Sequence, residues 1–190
     1  MKRNILIVAS IVWLAVMLFG FKLVFDYDWK ASTSGSTSTL WPSTCQINRA
    51  KDRWTLVMAV HRQCPCTRAS INELNKIMTK CAGRLQAALL IYRPSGEQFV
   101  AFGDSTSDAI GMTNVERVDD ANAAKADLFN ATTSGECFLY NPEGLLCFHG
   151  GITGSRGHEG DNGGEDSVVA LVNGEISGFQ KSPYFGCSIH

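Results

Sequence analysis

The chain has 190 residues, with 17 Lys and Arg against 18 Asp and Glu for a net charge of −1, so it lacks the basic footprint that nucleic-acid binding needs. Its first forty or so residues read as non-globular, which leaves roughly 150 for one domain with a real core. Seven cysteines suit a compartment where thiols do chemistry, and their odd number leaves one unpaired unless a second chain takes part.

Residues 1–4 form a short N-terminus that carries Lys2 and Arg3, and residues 5–25 are apolar apart from Ser10, Gly20 and Lys22. About twenty residues at a 1.5 Å rise cross a bilayer core, and Lys22 can extend its ammonium to the interface. The run is longer than the roughly 7 to 15 apolar residues of a cleaved signal peptide, and no small-x-small site closely follows it. It reads as a transmembrane anchor, and the basic residues before it place the N-terminus inside and the rest outside. Residues 26–44 are a Ser/Thr-rich linker with nothing to bury, and the domain is expected over 45–190. Cys45, in the entry segment, has no assignable partner.

An apolar strand run, Trp54 to Val60, leads into His61-Arg62-Gln63-Cys64-Pro65-Cys66, and Ile71, Leu74, Ile77 and Cys81 leave it on one helical face. Two cysteines therefore sit where a strand turns into a helix. Proline suits the first helical position, which makes Cys64 the N-cap and Cys66 the second residue. Unpaired N–H groups and the dipole at a helix N-terminus stabilise a thiolate, so Cys64 is the expected nucleophile and Cys66 its partner. His61, Arg62 and Arg68 add positive charge nearby. Residues two apart on a helix point to nearly opposite sides, whereas a disulfide wants its Cβ atoms about 4 Å apart. A Cys64–Cys66 bond must therefore deform the first turn, and strained disulfides are easily reduced.

Leu85 to Tyr92 is a second buried strand, ended by Arg93-Pro94-Ser95-Gly96. Glu97 to Met112 suggests a loop or a short helix, Asn114 to Val118 a third strand, and Ala121 to Phe129 a helix. This order indicates parallel neighbours with right-handed crossovers. Glu136 to Tyr140 and Leu145 to His149 flank the turn quartet Asn141-Pro142-Glu143-Gly144 as an antiparallel hairpin. With Tyr140 facing Leu145, Cys137 and Cys147 fall on opposite faces, and both read as core cysteines, as does Cys81. The hairpin's open ends bring Ala131 to Gly135 beside a glycine-rich loop, 150–164, that carries Arg156, His158, Glu159 and Asp161, more than a connector needs. A last helix spans roughly Glu165 to Asn173. Cys187, on the tail, is a candidate third redox cysteine.

Together these pieces resemble the thioredoxin fold, particularly its membrane-tethered, periplasm-facing branch of TlpA- and ResA-like proteins, over about Trp54 to Asn173. Pro65-Cys66 looks like the end of that family's C-G-P-C, and Glu136 to Gly144 looks like its hairpin segment. The C-P-C, T-S-G, G-G-I-T, R-G-H-E-G-D-N and F-G-C pieces are also similar to a small RedB-like group of the superfamily. The resemblance implies an α/β, three-layer thioredoxin-like fold, with a central mixed sheet flanked by helices, behind one transmembrane helix. It implies a thiol-disulfide oxidoreductase of the bacterial inner membrane, facing the periplasm and acting there on protein thiols or disulfides without a cofactor.

Two departures stand out. One residue rather than two separates the cysteines, and Gly135, preceded by Ser134, stands where the family has a cis-proline packed against its dithiol. Pro65, Arg68, Ser134, Gly135 and Arg156 are then supporting residues. In such folds the loop after the hairpin lies beside the dithiol, so Arg156 and His158 are expected near Cys64. His158 would stabilise the thiolate or relay a proton. An alternative is a copper metallochaperone, because two thiolates and an imidazole from Cys64, Cys66 and His158 suit Cu(I); copper carriers of this fold use a wider cysteine pair. Peroxide reduction ranks below both, since such sites need a threonine where this chain has His61.

Overall fold

The computed structural model describes residues 2–32, 37–96 and 104–189. The chain divides into two compact units, Met1–Lys30 and Ala31–His190. The first is the helix α1, Lys2–Asp28, which is long and apolar enough to cross a membrane and buries none of its residues in the protein. It contains the span expected over 5–25, and within it Lys22 pairs with Asp26 one turn on.

The second unit begins its core with β1, Trp54–His61, a run of apolar residues buried on both faces. A turn leads into α2, Pro65–Lys80, and then to β2, Leu85–Arg93. A 3-10 turn at Ser107–Ala109 precedes β3, Val115–Ala121, and another at Ala126–Phe129 precedes β4, Cys137–Tyr140. Then come β5, Leu146–Gly150, α3, Gly163–Asn173, and a two-residue β6, Gln180–Lys181. The sheet order is β3-β2-β1-β4-β5-β6. β1 is parallel to β2 and β2 to β3, whereas β4 runs antiparallel to β1 and β5.

Alternation along β1 divides the core. Leu56, Met58 and Val60 join Ile71, Leu74 and Ile77 of α2 and Val168 and Leu171 of α3 on one face. Val57 and Ala59 join Phe129, Phe138 and Tyr140 on the other. The helical stripe read from the sequence is therefore the buried face of α2. Cys81 and Cys137 are buried in the first cluster, and burial pushes the Cys81 thiol up to about 11. Cys45 is half-buried against the second.

Three expectations need correction. The helix expected over Ala121 to Phe129 is one 3-10 turn, because β3 runs on through Ala121 and the chain then takes positive φ at Asn122 and Ala123. The buried Asp120 carboxylate fixes this bend by accepting the Lys125 and Ala126 N–H groups at 2.8 and 2.9 Å. The hairpin carries a bulge: Tyr140 pairs with Leu146 and Leu139 with Phe148, so Cys147 is the extra residue. Cys147 consequently packs against the same cluster as Cys137 rather than on the opposite face, and both thiols are free. Part of the expected linker is also structured, since Leu40 pairs with Leu145 and the Leu146 N–H donates to Thr39 O at 2.9 Å. Of the segment Glu97 to Met112, residues 97–103 lie outside the described residues, and the short helix is the turn at Ser107–Ala109.

Phe129 holds the second cluster together, with ring centroids 5.5 Å from Trp41, 5.8 Å from Phe138 and 6.0 Å from Tyr140. Phe129→Ala is expected to lower the unfolding free energy by about 3–5 kcal/mol in urea denaturation. Leu145→Ala, at a residue 47% exposed, should cost no more than about 0.5 kcal/mol. Equal effects would show that this face of the sheet is not a packed core.

Candidate functional site

The site grows from the turn between β1 and α2. Cys64 occupies the N-cap with extended backbone, Pro65 the first helical position and Cys66 the second, as the sequence suggests. His61 O accepts the Cys64 N–H at 3.2 Å and the Thr67 hydroxyl at 2.9 Å, which fixes the chain's swing from strand into helix. The buried Ser134 hydroxyl receives the His61 N–H at 3.0 Å and lies 2.8 Å from Thr67 Oγ1. Residues 132–134 are thereby tied to both β1 and α2.

Gly135 follows with φ of +88° and donates its N–H to Ala59 O at 2.7 Å. A Cβ at Gly135 would stand 3.0 Å from Ser70 Oγ, a contact that would push the hydroxyl aside, and the positive φ disfavours a side chain whatever the space. All described peptide bonds are trans. The turn is made by a glycine in a conformation that other residues rarely adopt.

The tail completes the site. Cys187 Sγ lies 3.0 Å from Cys64 Sγ. The Ser134 N–H donates to Cys187 O at 2.8 Å, the Ile189 N–H to Thr132 O at 3.0 Å, and Thr133 pairs with Ser188 in antiparallel fashion. Residues 186–189 are thus a short strand laid along 132–134, and they cover the dithiol: Cys64 is 1% exposed and Cys66 9%.

Three sulfurs therefore share one small space, and hydrogen bonding separates their acidities. The Cys66 thiol, above all, donates to Cys64, and the thiol and N–H of Cys187 and the N–H of Cys66 add to it; against the opposing effect of burial, the Cys64 pKa falls to about 4. The Cys66 thiol is pushed up by its bond to Cys64 and by burial. Burial and the bond to Cys64 raise Cys187 to about 11. One anionic sulfur at the head of α2, held by two protonated ones, is the preferred distribution.

Of the supporting residues, Arg156 reaches the site: it donates to Gly186 O, and its charge eases the ionisation of Cys66 and Cys187. Pro65 is exposed at the helix start, and Ser134 and Gly135 are buried beneath the tail. Arg68 and Arg62 are directed to acids instead, at 3.7 Å from Asp108 and 3.6 Å from Asp119. His158 is exposed and its backbone N–H goes to Ser155 O; the groups acting on Cys64 are Cys66 and Cys187. Among the described residues no group of three or more His, Cys, Asp and Glu side chains is gathered as a metal site.

Sequence reasoning missed a buried pair behind the tail's docking strand. His149 Nε2 lies 2.7 Å from Glu136 Oε1, and the other oxygen of Glu136 accepts the Thr132 N–H at 2.9 Å. His149 stacks on Phe138 with ring centroids 4.7 Å apart. The alternation of Glu136, Phe138 and Tyr140 carried this signal, because it puts a carboxylate on a buried face that requires a partner.

No family model matches the chain, and no curated protein matches it. Solved structures do. A hypothetical protein, SMc02350, from Sinorhizobium meliloti 1021 superposes with a TM-score of 0.63 at 21% identity, over 84% of this chain and 97% of that one. An uncharacterized conserved protein from Geobacillus kaustophilus does so with a TM-score of 0.59 at 15% identity, over 85% and 92%. A secreted Mycobacterium tuberculosis disulfide oxidoreductase homologous to E. coli DsbE shows a TM-score of 0.45 at 12% identity, over 65% and 82%. The fold is thioredoxin-like: a six-stranded mixed sheet with α2 and α3 packed on one face, a cysteine pair opening the helix after the central strand, and a hairpin followed by a helix.

Thiolate absorbance of the reduced protein is expected to show one sulfur titrating near pH 4, lost in Cys64→Ala. A depressed pKa leaves Cys64 ionised from mildly acidic pH upward. Cys66→Ala should move that step upward, and further than Cys187→Ala does, because the Cys66 thiol is the larger donor. An unmoved step in Cys66→Ala would show that the thiol is not what holds the anion.

Proposed function

We propose that the protein is a membrane-tethered thiol-disulfide oxidoreductase that works through Cys64, with its domain on the periplasmic side of a bacterial inner membrane. The observation that carries the reading is the seating of Cys64 at the N-cap of α2 with Cys187 Sγ 3.0 Å away and the Cys66 thiol beside it, an arrangement that lowers the Cys64 pKa and raises the other two. The thioredoxin-like fold and the apolar helix α1 support it.

The Cys64 thiolate attacks one sulfur of a partner protein's disulfide. The partner's other sulfur leaves as a thiolate and a mixed disulfide remains on Cys64. A second thiol of this chain, after losing its proton, attacks Cys64 Sγ and releases the partner's remaining sulfur. The partner is reduced by two electrons, and this chain holds the new disulfide. Run in reverse, the same steps oxidise a partner dithiol. Cys66 is the resolving residue that the C-P-C motif supplies. Cys187 offers a second route that leaves the first turn of α2 undeformed, since it meets Cys64 from another segment. The copper reading on Cys64, Cys66 and His158 draws no comparable support, because no interaction joins His158 to either thiol.

Full-length protein in detergent is expected to reduce the disulfides of insulin with a dithiol as terminal reductant, and Cys64→Ala to fall to the uncatalysed rate. Mass spectrometry after oxidation should find Cys64 bonded to Cys66 or Cys187. Undiminished turnover by Cys64→Ala, or a Cys64 that stays a thiol under oxidising conditions, would refute the reading. Alkaline carbonate should leave the chain in the membrane fraction; its release would refute the tether.

A further inference from the structure

We infer that residues Gly186 to Ile189 are a built-in mimic of the partner, occupying the edge where a partner's cysteine-bearing strand docks, so that the tail must lift before exchange and its sequence gives the pattern the partner must carry. This rests on the exchange reading above.

The first observation is access. A nucleophile has to be reached, and Cys64 is 1% exposed with the tail in place. The second is the manner of docking. The segment is hydrogen-bonded as an added antiparallel strand through Ser134 and Thr132, and its cysteine presents sulfur to sulfur with Cys64. Main-chain bonds hold such a strand whatever its sequence, and alternate side chains select it. The third is the division of the tail. Up to Tyr184 it is built into the fold: Ser182 donates to His149 O and Gly151 O, and a Cβ at Gly151 would come within 2.8 Å of Tyr184 Cα. Beyond Phe185, the strand pairing, the bond from Arg156 to Gly186 O, the Cys187 contact with Cys64 and the side chain of Ile189 hold it. The last four described residues can therefore lift while the rest stays.

The pocket dictates the pattern. A Cβ at Gly186 would collide with Ser134 O, so the position before the cysteine takes glycine. Ser188 is exposed and unconstrained by burial. Ile189, two residues past the cysteine, is 1% exposed in the cluster of Ala131 and Phe129 and takes an apolar side chain. The partner class is thus an extended segment of the form Gly-Cys-x-apolar, whose cysteine is disulfide-bonded when it is to be reduced. Cys64 attacks that sulfur, the bond to the segment's former partner breaks, and the departing sulfur carries away the electron pair.

The test uses full-length Cys187→Ser protein in detergent and pentapeptides whose cysteine is disulfide-linked to thionitrobenzoate, whose release is followed by absorbance. Phe-Gly-Cys-Ser-Ile is expected to react about tenfold or more faster than versions with Val before the cysteine or Asp at the last position, as the loss of a docking bond or of an apolar contact implies. Adding Ile189→Asp to the chain should lift the tail and speed the matching peptide several-fold; Ile189→Ala replaces it if the melting curve shows a misfolded protein. Equal rates for the three peptides, or no gain on loosening the tail, would overturn the inference. If the symmetric thionitrobenzoate disulfide still reacts with Cys64 in that case, the exchange reading stands without it. If no disulfide reacts with Cys64 even in the loosened chain, both fall.

Discussion

The arrangement that the rest of the structure serves is the set of donors converging on one sulfur. A thiolate is a poor ion to bury, and burial alone pushes every cysteine here towards the neutral form, as Cys81 and Cys137 show. Cys64 is as buried as they are, yet it moves the other way, because two thiols and two backbone N–H groups replace the water it has lost. One of those N–H groups belongs to Cys66 in the first turn of α2, where helix geometry leaves it without an intrahelical acceptor. The sheet supplies the rest. β1 is the central strand, and it delivers Cys64 to a fixed point, while the crossing of residues 132–134 beside it brings up the strand that holds Cys187.

Much of this was legible in the sequence, and the reasons are local. The run Trp54 to Val60, the proline after Cys64 and the stripe of Ile71, Leu74 and Ile77 each dictate a short-range structure, and they place the cysteines without any knowledge of the fold. The hairpin was equally plain from Asn141-Pro142-Glu143-Gly144. What failed depended on contacts distant in sequence. The alanines and lysine after Ala121 favour a helix by propensity, but the buried Asp120 claims the N–H groups that would begin it. The bulge at Cys147 arises where residues 39–41 add to the hairpin, and no rule of register within the hairpin reveals that.

The site divides in the same way. Cys64, Pro65 and Cys66 are neighbours, and their roles follow from position on a helix. Ser134, Gly135 and Arg156 came from the fold resemblance and from the hairpin's open ends; in the structure Ser134 bonds to His61 and to Cys187 O, Gly135 lies against Ala59 and Ser70, and the Arg156 charge acts on Cys66 and Cys187. His158 shared that argument with Arg156 but sits two residues further along a loop that has by then turned to solvent. The pairing of Cys187 with Cys64 spans 123 residues. The F-G-C sequence showed a cysteine worth following, though not the strand ladder that seats it. Gly186 acquires its meaning from Ser134, a residue that periodicity does not connect to it.

A strand tethered to the surface it occupies competes with any external strand at an effective concentration in the millimolar range, set by the short chain between anchor and site. A free peptide of the same sequence would therefore displace it poorly. A partner protein has two ways around this. It can add contacts beyond the four-residue segment, or, with the proposed tether, it can be held at the same membrane, which raises its own local concentration without altering the groove. The way the tail is seated agrees with such a contest: main-chain bonds, the Arg156 guanidinium, the Cys187–Cys64 contact and the Ile189 side chain hold it, while Tyr184 and Phe185 before it are buried in the fold. Covering an acidic sulfur with a segment that a matching strand displaces best favours the partner over other reactants without closing the site to them.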